Sequence, residues 1–132
     1  MTNIDAESPK FYPNRTVQRA ERSLICSPFQ LTLFEKMRFT SVGAQAIAGN
    51  LGVKQNYTKR PISELAAENA LLWLIQVGVL RREVDGQGIT DSFRLTPLGR
   101  QIVEQYQGSS LPSPSWSDYF HNALNRWFRL PF

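Results

Sequence analysis

Apolar side chains recur at helical spacing in five stretches of this chain, and each stretch opens or closes on a residue that helix ends favour. Phe29, Leu33, Phe34 and Met37 follow Ser27-Pro28, a capping serine and a proline at the first helical position, and predict a helix to about Arg38. Val42, Ala46, Ile47 and Leu51 follow Thr40-Ser41 and predict a second helix ended by Gly52. After a polar connection at 53–62, Ser63 caps a third helix from Glu64 to about Val77, broken by Gly78. That helix holds Ala70-Leu71-Leu72-Trp73-Leu74-Ile75, apolar nearly all round, and is expected at the centre. Val79–Val84 reads as a strand, Asp85-Gly86-Gln87-Gly88 as a turn, and Ser92–Leu95 as the return strand. Thr96-Pro97 starts a fourth helix with Leu98, Ile102, Val103 and Tyr106 inside.

The order helix, helix, helix, hairpin, helix predicts a mainly α fold with a small β-hairpin, in the winged helix-turn-helix arrangement. Residues 1–22, polar and broken by Pro9 and Pro13, read as a flexible N-terminal arm pinned by Phe11 and Tyr12. Residues 23–107 form the winged-helix domain, and residues 108–115, rich in Ser and Pro, a linker. Beyond it Trp116, Tyr119, Phe120, Ala123, Leu124, Trp127 and Phe128 line one face of a C-terminal amphipathic helix at 116–130, capped by Ser115 or Ser117.

Composition narrows the chemistry. The formal net charge is +4, unevenly spread: residues 1–60 carry nine Lys/Arg against four Asp/Glu, and residues 61–80 carry no cation against two acids. Cys26 is the sole cysteine, so a disulfide framework is excluded and a reducing setting is the default. With no signal-peptide pattern and no run of about 20 apolar residues, the expected localisation is cytoplasmic.

Two runs carry a resemblance. Gln76-Val77-Gly78-Val79-Leu80-Arg81-Arg82-Glu83 and Phe93-Arg94-Leu95-Thr96-Pro97-Leu98-Gly99-Arg100 resemble the wing of bacterial winged-helix regulators of the MarR and PadR types. Ala44–Val53 is similar to the second helix of such domains. The resemblance implies DNA binding through the third helix and the wing. The chain departs from it in the ten residues between Gly52 and Ser63 and in a third helix without basic side chains. The whole chain also resembles small uncharacterised cyanobacterial proteins, which implies no activity.

The two functional expectations pull apart. A DNA-binding regulator would grip phosphates with Lys54, Lys59 and Arg60 of the connection and Arg81, Arg82 and Arg94 of the wing. Arg81, Arg82, Glu83 and Arg94 are equally placed to pair across the hairpin. The first turn of the third helix, Glu64-Leu65-Ala66-Ala67-Glu68-Asn69, would face phosphates with carboxylates, and only Asn69 suits a base edge. A protein-interaction or accessory module would instead use the apolar third helix and the aromatic tail. Trp116, Tyr119, Phe120, Leu124, Trp127 and Phe128 are its candidate partner or dimer interface. That stripe needs a cover: its own domain, a second copy, or a groove on another protein. A membrane surface is disfavoured by the presence of only two cations. His121 and Cys26 lie in no catalytic motif, and no metal-ligand cluster is legible. The expectation is a non-enzymatic binding protein with no cofactor and no metal, its preferred partner a protein and its alternative partner DNA.

Overall fold

A computed structural model of the protein describes residues 12–128. These residues form a mixed α/β fold with seven helices and one small antiparallel sheet. In order they are α1 (Asn14–Cys26), α2 (Leu31–Lys36), β1 (Val42–Gly43), α3 (Ala44–Ile47), α4 (Gly49–Lys54), α5 (Glu64–Gln76), β2 (Leu80–Asp85), β3 (Gly88–Leu95), α6 (Pro97–Glu104) and α7 (Trp116–Phe128).

Where the end signals are local, the chain obeys them. Ser63 Oγ accepts the Ala66 N–H at 3.0 Å and starts α5, and Gly78, with φ of 90°, turns the chain out of it. Ala67, Ala70, Leu71, Trp73 and Leu74 of α5 are buried, so this helix is central over its second half. Thr96 Oγ1 accepts the Gly99 N–H at 3.0 Å and donates toward the Gly78 and Val79 carbonyls, tying the start of α6 to the chain leaving α5. Between β2 and β3, Asp85 Oδ1 accepts the Gln87 N–H at 2.7 Å and Gly88 takes φ of 118°.

Four expectations need correction. Residues 14–22 are not an arm: they begin α1, which buries Ala20, Ser23 and Leu24, while residues 1–11 lie outside the described residues. Ser27 therefore closes α1, and α2 starts later, at Leu31, without a side-chain cap. Val42 and Gly43 are not helical but pair with Phe93 and Ser92 as β1, giving a sheet of order β1-β3-β2 in place of a lone hairpin. Pairing with β3 gives the backbone of Val42 its partners while its side chain is buried. Gly52 is not a left-handed stop but an interior residue of α4, where a Cβ would lie 1.7 Å from the Ile47 carbonyl oxygen. Asn56, with φ of 64°, makes the left-handed turn after α4.

The core is shared by every layer. Leu24 of α1, Leu33 and Phe34 of α2, Ile47 of α3, Leu71 and Leu74 of α5, Phe93 of β3 and Ile102 of α6 are all sealed from water. Arg38 bridges to Glu35 and to Glu104, each at 3.3 Å, joining α2 to α6. The segment 107–115 runs over this body and packs Leu111 against it. No helix among the described residues is long and apolar enough to cross a membrane.

Candidate functional site

The helix α7 is started by a reciprocal cap. The Asp118 carboxylate accepts the Ser115 N–H at 2.9 Å, and Ser115 Oγ accepts the Asp118 N–H at 3.1 Å. That backbone bond, first among its causes, holds the Asp118 carboxyl below the usual range. Asp118 also sits at the positive end of the helix dipole and Arg126 near the negative end.

What α7 turns toward the body is its polar side. Asn125 is 1% exposed, its amide donating to the His121 carbonyl at 2.7 Å. Asn122 Oδ1 accepts the indole N–H of the buried Trp73 at 3.2 Å, and the Arg126 guanidinium lies 6.0 Å from the centre of the same ring. Asn122 thus supplies the acceptor that a buried indole N–H needs, while the packing of α7 is chiefly against α1. On the α1 side, the Asp118 charge reaches Arg22 and Cys26. Residues 118, 122 and 125 recur at helical spacing and form the seat.

The opposite face therefore points outward. Trp116 is 89% exposed, Trp127 82%, Phe120 58% and Tyr119 54%. Ala123 is exposed between them and Leu124 is half-buried. The side chain of Phe128, and the expected extension to residue 130, lie outside what is described. The stripe expected to need a cover is thus left open by its own domain. Nothing in the spacing of the aromatics signalled that Asn122 and Asn125 would be the inner residues.

The cations expected to grip phosphate do not gather into one free patch. Arg94 pairs with Glu83 at 3.1 Å, and Arg82 pairs with Asp91 at 3.6 Å while lying over the Phe93 ring. The expected cross-hairpin pairing thus forms for Arg82, Glu83 and Arg94, while Arg81 makes no ion pair among the described residues and its guanidinium donates only to the Arg82 carbonyl. Lys54, Lys59, Arg60 and Arg81 are exposed. Lys59 and Arg60 edge a cleft of about 580 Å³ that Phe29, Leu31, Leu111 and Tyr119 also line. The outer face of α5 carries exposed Glu64, Leu65, Glu68, Asn69 and Leu72, acids and leucines without a cation. At the hairpin tip, Val84 and Ile89 oppose one another, 60% and 75% exposed.

Cys26 shares the α1–α7 contact with Asp118, but its thiol is pushed up to about 11, by burial first and then by the Asp118 charge. A nucleophile needs the opposite shift. No group of three or more His, Cys, Asp or Glu side chains among the described residues would hold a metal ion.

These features describe a small mixed α/β domain whose most distinctive surface is an outward aromatic helix. Residues 10–126 match the family described as Npun_F0494-like, and the chain belongs to it. Neither the curated proteins nor the solved structures contain a match to this chain. The family match adds nothing to the MarR and PadR resemblance.

Proposed function

We propose that this protein is a non-catalytic interaction module built on the winged-helix plan, docking a protein through the outward aromatic face of α7. The winged-helix reading is supported by the order of elements from α2 to α6 and by the β1-β3-β2 sheet beside a central α5. The observation that carries the docking reading is the seating of α7 by Asn122 and Asn125, with Trp116, Phe120 and Trp127 in water. Large aromatic side chains held in water on an ordered helix are the usual anchors of protein interfaces. The acidic and apolar outer face of α5 supports a protein partner over nucleic acid, since carboxylates oppose phosphate.

The test separates docking surface from core. Trp116→Gln, Phe120→Gln and Trp127→Gln together remove no intrachain packing on this reading. The thermal midpoint should stay within roughly 2 °C, as for surface changes worth about ±0.5 kcal/mol. At concentrations where both proteins are monomeric, a variant that melts far lower, or loses its far-UV circular dichroism, shows that the aromatics are core and sinks the proposal.

The alternative, a DNA-binding regulator, draws on exposed Lys54, Lys59, Arg60 and Arg81. With Arg82 and Arg94 neutralised, four phosphate contacts would give a log affinity against log salt slope of about −4. Salt-independent binding, or none, removes it.

A further inference from the structure

Resting on that docking reading, we propose that the occupant of the aromatic face is a second copy of this chain, its α7 laid antiparallel across the first about a two-fold axis. The spacing is the first reason. Among the stripe residues whose side chains are described, Trp116, Tyr119, Phe120, Ala123, Leu124 and Trp127 are separated by three, one, three, one and three residues, so a reversed copy can lie in register with them. Reversed on itself, the stripe sets Trp116 against the copy's Trp127, Tyr119 against Leu124, and Phe120 against Ala123. The largest side chains meet at both ends, and a phenyl ring meets a methyl group at the centre. A two-fold interface repeats every contact in reverse, and this spacing lets the two stripes lie in register when it does.

Area and charge agree. The four aromatic side chains expose 54–89% of their surface, which at about 150–250 Å² each leaves roughly 400–700 Å² of aromatic surface per chain. Doubled, that approaches the roughly 1,200–2,000 Å² of a stable interface before any rim is added. No charged side chain lies in the stripe itself, so pairing copies buries no ion. An interfacial helix holds an anionic bilayer through several cations on its polar face, and α7 carries only Arg126 among the described residues. Antiparallel packing also sets the two helix dipoles in opposition.

The full-length chain should double its mass in sedimentation equilibrium as concentration rises. Its tryptophan emission should shift to shorter wavelength in step, because Trp116 and Trp127 leave water. Ala123→Trp, harmless on an exposed face, should raise the dissociation constant about tenfold or more by colliding with Phe120 of the copy. Register is tested in a Cys26→Ser background: Phe120→Cys and Ala123→Cys chains should form a disulfide when mixed, and neither should form one alone. A disulfide from Trp116→Cys chains alone marks a parallel pair and overturns the proposal. So does a mass that stays monomeric throughout. If the monomer sediments with phosphatidylcholine vesicles and the triple Gln variant does not, the face docks a bilayer, and the second copy is refuted. The docking reading itself fails by a different result, the unfolding of the triple Gln variant at dilutions where the parent is already monomeric.

Discussion

Trp73→Phe is the change that most directly probes how α7 is held. It keeps an aromatic ring in the core but deletes the N–H that donates to Asn122 Oδ1 at 3.2 Å. A neutral hydrogen bond contributes about 0.5–1.5 kcal/mol, and Asn122 is half-exposed, so its freed carbonyl regains water. The smaller ring leaves space where Trp73 is 9% exposed, costing about 1 kcal/mol more. The Arg126 guanidinium, 6.0 Å from the ring centre, is at the limit of a cation–π contact and adds about 0.5 kcal/mol at most. Denaturant unfolding should therefore show a loss of about 2 kcal/mol. Asn122→Ala alone should cost about 1 kcal/mol, and the double variant should fall short of additivity by the hydrogen-bond share, about 0.5–1.5 kcal/mol. Hydrogen exchange should localise the change, with faster amides in 116–128 and slower change in α6. Strict additivity, with α7 exchange untouched, would refute the polar-side-in seat of this helix.

The remaining expectations concern packing and titration. Gly99→Ala would place a Cβ 2.2 Å from the Val79 carbonyl oxygen, and Gly52→Ala one 1.7 Å from that of Ile47. Each should lower the thermal midpoint by roughly 10 °C, an overpacking cost of about 3 kcal/mol. Gly86→Ala, where a Cβ meets nothing within 4 Å, is the control that should melt as the parent does. Burial, then the hydrogen bond to Glu21, pushes the Tyr106 phenol from 10.0 up to about 12. A raised phenol contributes stability that is complete below pH 10 and fades as pH rises from 10 to 12. Tyr106→Phe should flatten stability over that window, and an unchanged slope in alkaline denaturation would contradict it. With its thiol raised from 9.0 to about 11, Cys26 should alkylate about a hundredfold more slowly at pH 8 than an unperturbed thiol. Trp73→Phe should speed that reaction by loosening α7, and equal rates in the two proteins would disconnect the seat from the cysteine.

What was legible in the chain was whatever local chemistry decides. Ser63 before α5, Thr96-Pro97 before α6 and the Asp-Gly turn each act within four residues, so reading them needs no knowledge of the rest. The first helix was not legible because its apolar stripe is thin. Val17, Ala20 and Leu24 stand among three arginines, and α1 is stabilised by what α6 and α7 place against it. Strand β1 was missed for a related reason. Two residues have no pattern of their own, and Val42 and Gly43 are extended because they pair with the edge of β3 that β2 leaves open at Ser92 and Phe93. The direction α7 faces is harder still. An aromatic stripe announces that apolar surface must leave water, but the covering surface need not belong to the chain that carries the stripe.

The two faces of α7 have unequal claims, and that inequality bears on why the helix sits as it does. Covering the aromatic surface would contribute more than the hydrogen bond and cation contact on the polar side. A helix free to roll would then turn its rings inward, yet it does not. The side of α1 it meets offers Arg22, Ser23 and Cys26, with the Asp118 charge already set against them. Rolling would also strand the Trp73 indole N–H at 9% exposure, at a cost of about 1–3 kcal/mol. A partner laid on the outer face removes the same aromatic surface from water and leaves Asn122 on Trp73. Polar side in, aromatic side out is thus the seating that keeps the Trp73 N–H partnered, at the cost of an Asn125 Oδ1 buried without a partner among the described residues, and leaves the aromatic face for the proposed partner. A weakened seat should then weaken association too, because a partner would first have to order the helix it binds.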